Sequence, residues 1–157
     1  ARARLSMPGT LDWMLEEFRA RTRPNGTLTL NRLGHGLNNY GHYTEQFAAS
    51  MAISELLVQS VGDIIRVFPA WPKEKDAHFA DLRAQGGFLV SAQQERGEVV
   101  CVNVVSTVGG ELRMLSPWPR LTVQREGVTE TLETNEAGVF SLLTNSGEEL
   151  RFTEKHE

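Results

Sequence analysis

The spacing of apolar residues changes once along this chain, at about residue 60. Up to Ser60, apolar residues recur every three or four positions, which is the spacing of an amphipathic α-helix. Beyond Ile64, short apolar segments are separated by Gly, Asn and Glu, as in short β-strands joined by turns. The sequence therefore predicts an α+β chain, with its helices first and an antiparallel β-sandwich or barrel after them.

A first helix is predicted between Thr10 and the turn sequence RPNG at 23–26. Thr10 is the predicted N-cap, because its hydroxyl oxygen can accept a hydrogen bond from a free backbone N–H of the first turn. Pro24 cannot continue a helix, so the helix ends before it. The apolar face follows the i, i+3, i+4, i+7 pattern and consists of Leu11, Met14, Leu15 and Phe18.

A second helix is predicted from about Thr44 to Ser60, with apolar or small residues on almost all of its sides. A helix of this kind is normally buried among other helices. Two helices are too few to cover it. The chain also starts without Met and without a signal-peptide apolar segment. We therefore expect a piece of a longer protein, whose remaining helices cover the second one.

The region after Gly62 is predicted to form strands. The strand-like segments are DIIRVFPAWP, AHFADLRAQGG, FLVSAQQ, VVCVNVVST, ELRML, LTVQREG, VTETLE, GVFSLLT and EELRFT. The sequence ERGE between the third and fourth segments predicts a hairpin turn. This gives a predicted division into residues 1–63, which are helical, and residues 64–157, which form the β-sandwich domain.

Charge and composition argue against several classes of function. The chain has 16 Lys and Arg against 20 Asp and Glu, and the basic residues are scattered. Phosphate-backbone binding needs a concentrated basic face, so nucleic acid is not an expected partner. No apolar run approaches the ~20 residues of a membrane span. Cys101 has no partner for an internal disulfide, and its neighbours in VVCVNVV predict a buried strand residue.

One segment, NRLGHGLNNYGHYTEQF at 31–47, is too irregular for a helix and too rich in glycine for a strand. It contains two His, three Asn and two Tyr, and Glu45 lies near its end. The two histidines are not spaced as a zinc pair and have no cysteine nearby, so no metal site is predicted. The segment either binds a ligand or connects two elements.

Several separated motifs resemble the C-terminal end of glycoside hydrolase family 95, which contains α-L-fucosidases and α-L-galactosidases. The motifs SELLVQSVGD, IIRVFPAWP and LRAQGGFLV occur in the order typical of that family. The resemblance runs from Glu45 to Pro119, which is roughly half of the chain. The last ~35 residues carry no recognised motif of this family.

The resemblance implies an architecture and an activity. Members of the family have a helical (α/α)6-barrel catalytic domain followed by a β-domain, so residues 1–63 would be the last barrel helices. The parent would be an inverting exo-glycosidase that removes a terminal L-fucose or related sugar. Its implied partners are an oligosaccharide or polysaccharide substrate and the upstream barrel portion of the parent chain. No cofactor and no metal are implied, and the parent is expected to be secreted or periplasmic.

Inversion needs a general acid and a base that activates water. The general acid would lie upstream of this chain, so the chain alone would be inactive. A family aspartate of the water-activating group aligns with Thr44, which cannot act as a carboxylate base. Other relatives have a pattern like G-I-E-N-(F/L), which matches Glu45 and Gln46. Glu45 is thus the candidate catalytic residue, or alternatively a first-turn charge favoured by the helix dipole.

Under this resemblance the other polar residues of the segment would line a sugar subsite. The candidate substrate-binding residues are His35, Asn38, Asn39, His42, Tyr43 and Gln46. Amides suit sugar hydroxyls because they both donate and accept hydrogen bonds. The alternatives stay open, since the histidines would also suit solvent, the asparagines a turn, and the tyrosines packing against neighbouring helices.

Trp71 and Trp118 each lie beside prolines, in PAWPK and SPWPR. Exposed, they would suggest a carbohydrate platform. The favoured prediction is that they pack the helical part against the sandwich, because large aromatic residues dominate such interfaces. A second reading of the whole chain is a non-catalytic β-sandwich module that binds carbohydrate or has a purely architectural role.

Overall fold

The strands after residue 57 form two sheets that face each other. The computed structural model describes residues 2–22, residue 28 and residues 43–156, without the side chains of residues 4 and 43–49. These described residues form a short 3₁₀ helix, two α-helices and ten β-strands. They contain no (α/α)6 barrel, so the barrel implied by the sequence is not present in this part of the chain.

The first α-helix, α1 (Thr10–Arg21), follows the 3₁₀ helix Ala3–Leu5. Leu11 and Met14 of the predicted apolar face are buried and Phe18 is half-buried, but Leu15 is 38% exposed, so its place on that face was predicted wrongly. The predicted N-cap is wrong by one residue, because Gly9 holds that position with a left-handed backbone. Thr10 is the first helical residue, and its hydroxyl donates to the carbonyl of Met7.

The second α-helix, α2 (Tyr43–Leu57), ends before the predicted Ser60 and runs directly into the first strand. Val58–Val61 pairs antiparallel with Ile64–Val67 across a tight turn at Gly62 and Asp63. Both turn residues have positive φ, as a two-residue hairpin requires. The sandwich therefore starts at Val58, ahead of the predicted residue 64, while the division of the parent into domains stays a prediction.

The ten strands have the following bounds: β1 (Val58–Val61), β2 (Ile64–Val67), β3 (Ala77–Ala84), β4 (Phe88–Glu95), β5 (Glu98–Ser106), β6 (Gly110–Leu115), β7 (Leu121–Arg125), β8 (Val128–Leu132), β9 (Val139–Thr144) and β10 (Glu148–Glu154). One sheet has the order β1-β2-β6-β9, and the other has the order β3-β4-β5-β10-β7-β8. Every pairing is antiparallel except β2 with β6, which is parallel. The predicted β-sandwich is confirmed, with this parallel pair as an addition.

The core lies between the inner faces of the two sheets. Along β4, buried and half-buried residues alternate strictly, so Phe88, Val90 and Ala92 point inward. Phe140 of β9 and Phe152 of β10 meet across the core with ring centroids 5.1 Å apart. Cys101 is buried on β5, as predicted.

Two turns show why specific residues occur between strands. The predicted ERGE hairpin is confirmed, because β4 and β5 are joined through Arg96 and Gly97, which both have positive φ. In the LRAQGGFLV motif, a Cβ added to Gly86 would lie 2.7 Å from the Phe88 ring. Glycine at this position therefore lets the β3–β4 turn lie directly on a core aromatic residue.

Candidate functional site

The predicted sugar-binding segment ends where α2 begins. Tyr43, Glu45 and Gln46 lie in the first turns of α2, which agrees with the first-turn position predicted for Glu45. Their side chains fall outside the described part of the structure. His35, Asn38, Asn39 and His42 lie outside the described residues altogether, so the sugar subsite and the catalytic role of Glu45 stay predictions.

The rest of α2 has one covered side and one open side. Leu56 is fully buried and packs in a small cluster with Leu11 and Met14 of α1. On other sides of the helix, Met51 is 68% exposed and Ile53 is 43% exposed. The all-round burial predicted for this helix is therefore not provided by the described residues.

A groove of about 610 Å³ runs between α2 and β3. Ser50, Met51 and Glu55 of α2 line one wall, and Arg83 and Gln85 line the other. Arg83 and Gln85 belong to the LRAQGGFLV motif. The backbone N–H of Gln85 donates to the Ser60 hydroxyl at 3.1 Å, which ties the motif to β1, the strand that continues α2.

Trp71 and Gln59 join the helices to the sandwich. Trp71 packs against both the helical cluster and the sandwich core, so the packing predicted for it is confirmed. Its Nε1 donates to the carbonyl of Lys75 at 3.0 Å. Gln59 is buried, and its amide nitrogen donates to the carbonyls of Ala3 at 2.9 Å and Glu55 at 2.8 Å. The junction is therefore both apolar and hydrogen-bonded.

Trp118 has a different position from the predicted one. It is 7% exposed and belongs to the core between the two sheets. Its Nε1 donates to the carbonyl of Val99 at 2.7 Å. Trp118 therefore stabilises the sandwich itself, and the prediction that it packs the helical part against the sandwich is wrong. Neither tryptophan forms an exposed carbohydrate platform.

A second groove lies on the solvent face of the six-stranded sheet and has a volume of about 620 Å³. It follows β10 between its neighbours β5 and β7, and we call it the β10 groove. Arg151 of β10 lies opposite Asn103 of β5 on one side and Gln124 of β7 on the other. Glu149 precedes Arg151 on the same face of β10. Four polar side chains from three adjacent strands therefore face the same groove.

The polar side chains of the β10 groove make few hydrogen bonds or ion pairs with other residues that the structure describes. Arg151 Nη1 lies 3.5 Å from Asn103 Oδ1, at the outer limit for a hydrogen bond. Within the described part of the chain, Arg151, Glu149 and Glu126 form no ion pair. The groove thus offers amide donors and acceptors, one guanidinium and two carboxylates. Such a mixture suits a ligand with many hydroxyl groups.

A buried ion pair holds the turns at one end of this groove. Arg125 Nη2 and Glu148 Oε1 are 2.5 Å apart, and the Glu148 side chain is 4% exposed. The other carboxylate oxygen, Oε2, accepts from the backbone N–H of Asn145 at 2.8 Å. Glu148 therefore fixes the β9–β10 turn against the end of β7.

The β10 groove was not predicted from the sequence, and its residues show why. Asn103, Gln124 and Arg151 alternate with buried residues on their own strands, which marks each of them as outward-facing. However, nothing in the local pattern says that β10 lies between β5 and β7. That neighbourhood follows from the sheet order, which depends on contacts between distant segments.

Among the described residues there is no group of three or more His, Cys, Asp or Glu placed to hold a metal ion. Over the same residues, no helix is sufficiently long and apolar to cross a membrane.

One family model and several solved structures match the chain. A family model described as glycoside hydrolase family 95, C-terminal domain, matches residues 59–152, which is more than half of the chain. One of the matching solved structures is titled "Structural insights into a family 39 glycoside hydrolase from the gut symbiont Bacteroides cellulosilyticus WH2". The match has 19% identity and a TM-score of 0.40, and it covers 55% of this chain but 18% of that one. No curated protein matches the chain.

Proposed function

The chain belongs to glycoside hydrolase family 95 through its C-terminal domain, and from that premise we propose that its parent is an inverting exo-glycosidase. The proposed substrate is a glycan ending in L-fucose or a related sugar. In this proposal, residues 58–154 form the β-domain of the parent, and α1 and α2 are the last helices of its catalytic barrel. The parent's remaining helices and its general acid would come from other segments of that protein.

The observation that carries the proposal is the surface of α2. Leu56 is fully buried, whereas Met51 and Ile53 are exposed on the same helix. Trp13 and Leu15 of α1 are also exposed. A helical barrel would cover these side chains, and burying a large aliphatic side chain stabilises a protein by about 1.5–3 kcal/mol. Exposed apolar residues on both helices are therefore what a barrel fragment would present.

The proposed chemistry assigns a role to the start of α2. Glu45 would activate or orient the attacking water, and its place in the first helical turn favours the ionised carboxylate. His35, Asn38, Asn39, His42, Tyr43 and Gln46 would bind the sugar. Thr44 stands where the family aspartate is expected, so Glu45 would have to supply the carboxylate that Thr44 lacks. No cofactor is needed, because two carboxyl groups suffice for inversion.

The test uses the full-length parent. Glu45→Gln keeps the shape of the side chain but removes its ability to take a proton. Loss of a general base lowers turnover by about 10²–10⁴-fold, and we expect a loss in this range on an aryl α-L-fucoside. The matched control is Glu74→Gln, the same change at an exposed loop residue, which should leave turnover unchanged. Near-normal turnover of a folded Glu45→Gln parent would reject the proposed role.

A second candidate function is a non-catalytic carbohydrate-binding module. The observation that favours it is the β10 groove, where amides and a guanidinium face solvent without strong internal partners. The two functions are compatible, because a β-domain can bind glycan while another domain cleaves it. Turnover by Glu45→Gln and glycan binding by the β10 groove are independent measurements.

A further inference from the structure

We infer that the β10 groove is a binding subsite for a neutral saccharide, distinct from the predicted catalytic segment at 31–47. The inference rests on the proposed function in one respect, which is that the ligand is taken to be a glycan. The site itself is argued from the described residues of β5, β7 and β10 and from the two turns at one end of the groove.

The shape of the groove suits a small ligand. Its volume of about 620 Å³ lies within the ~300–1,000 Å³ typical of small-molecule sites. The β7–β8 turn with Gly127 and the β9–β10 turn with Gly147 both line the end of the groove where β7 ends and β10 begins. A Cβ added to either glycine would meet nothing within 4 Å, so this end is open. An oligosaccharide longer than the groove would therefore extend beyond it without a clash.

The side chains are arranged as a row across three strands. Asn103, Arg151 and Gln124 are direct cross-strand neighbours, and such neighbours have Cβ atoms about 4.5–5.5 Å apart. The row thus presents an amide, a guanidinium and an amide at regular intervals. A sugar hydroxyl both donates and accepts a hydrogen bond, and the amides can satisfy both roles. The guanidinium adds donors in a fixed plane.

The charge of the groove argues for a neutral ligand. Within the described residues, Glu126 and Glu149 contribute two carboxylates without an ion pair, whereas Arg151 contributes one guanidinium. The charge of the third acidic residue of the lining, Glu148, is offset by Arg125. A phosphorylated, sulfated or nucleic-acid ligand needs an excess of positive charge at its site. The same two carboxylates can accept hydrogen bonds from sugar hydroxyls. A neutral saccharide therefore fits the groove better than an anionic one.

The residues lining the groove include no aromatic side chain within the described part of the chain. Without a ring on which a sugar can stack, binding depends on hydrogen bonds that compete with water. We expect a dissociation constant of the order of 1 mM for a tri- or tetrasaccharide. Binding of this strength becomes useful when the catalytic domain holds the same glycan, because the second contact is then intramolecular.

The test is an NMR titration of the 157-residue chain with lactose and with its α-L-fucosylated trisaccharide. We expect saturable shifts of the Asn103 and Gln124 side-chain amides and of Arg151. Arg151→Ala should weaken binding at least fivefold, and Asn103→Ala should also weaken it. The matched control is Arg83→Ala, at an exposed position on β3 of the same sheet, which should leave binding unchanged.

Three results would overturn the inference. They are no saturable shift with either sugar at 20 mM, shifts that lie outside the β10 groove, and tighter binding of inorganic sulfate than of the sugars. Failure here is separable from failure of the proposed enzyme. The titration measures glycan binding by this chain without any turnover, whereas the effect of Glu45→Gln is measured as turnover by the parent, so either result can fail alone.

Discussion

The helical region and the sandwich differ in how they bury apolar side chains. Within the described residues, the sandwich core contains eighteen buried residues in one cluster, and the helical cluster contains three. Both regions have exposed apolar residues. In the sandwich the most exposed of these, Val108 and Leu143, lie on different elements, whereas on α1 Trp13 and Leu15 flank the buried Met14.

This difference concerns which region can stand alone. The sandwich has two sheets that cover each other, so its inner faces are complete without further protein. The helices meet the sandwich through Trp71 and Gln59 but leave Met51 and Ile53 uncovered. The comparison therefore assigns most of the folding free energy of this chain to residues 58–154. Three substitutions can break or sharpen it.

The largest effect is expected from a phenylalanine in the sandwich. Phe152 is fully buried and contacts Phe140, so Phe152→Ala should lower the free energy of unfolding by about 3–5 kcal/mol. The matched substitution in the helical region is Phe18→Ala on α1, where the ring is half-buried. It should cost about 1 kcal/mol. Urea unfolding followed by tryptophan fluorescence measures both. Equal losses would contradict the comparison.

How much of the molecule was predictable depends on whether the signal was local. Nearly all strands follow from spacing and turn residues within a few positions, and the structure has them as predicted. On α1 the spacing identified Leu11 and Met14 correctly, but Leu15 is exposed. The end of α2 was wrong because the four residues Val58–Val61, VQSV, contain no Gly or Pro, and so short a segment fits the end of a helix or a strand equally well. The segment forms a strand because it pairs with β2.

The non-local features could not be predicted. Trp118 looked equivalent to Trp71, since both lie between prolines, but the fold places one in the sandwich core and the other at the helical junction. The β10 groove needs the order β5-β10-β7, which no segment specifies by itself. The burial of individual charged residues was equally unpredictable, because Glu148 and Glu149 are adjacent in sequence and yet Glu148 is buried and Glu149 is exposed.

The second-largest loss of stability is expected from a substitution in the buried ion pair of the sandwich. Glu148→Gln removes the charge that pairs with Arg125 while keeping an oxygen for the Asn145 N–H. A buried partner left without its counter-charge destabilises a protein, and Arg125 is partly exposed, so we expect a loss of about 2–3 kcal/mol. Glu149→Gln is the neighbouring control on the solvent face and should change stability by less than about 0.5 kcal/mol. Chemical denaturation of both variants measures the difference.

If Glu148→Gln were as mild as its control, the buried pair would contribute little, and the sandwich would owe its stability to apolar contacts alone. That result would sharpen the contrast with the helices. It would also predict that the β9–β10 turn keeps its place without the ion pair, which amide hydrogen exchange at Asn145 and Gly147 would show as unchanged protection.

The smallest effect in this chain is expected on the open side of α2. Ile53→Ser replaces a 43% exposed side chain, and Ile and Ser have similar helix propensities, so the free energy of unfolding should change by less than about 0.5 kcal/mol. In the parent, helices covering Ile53 would make the same substitution cost about 1.5–3 kcal/mol. Val108→Ser, at an exposed sandwich position, should be mild in both. A small effect of Ile53→Ser in the parent as well would mean that this side of α2 faces solvent there too, and α2 would not be a barrel helix.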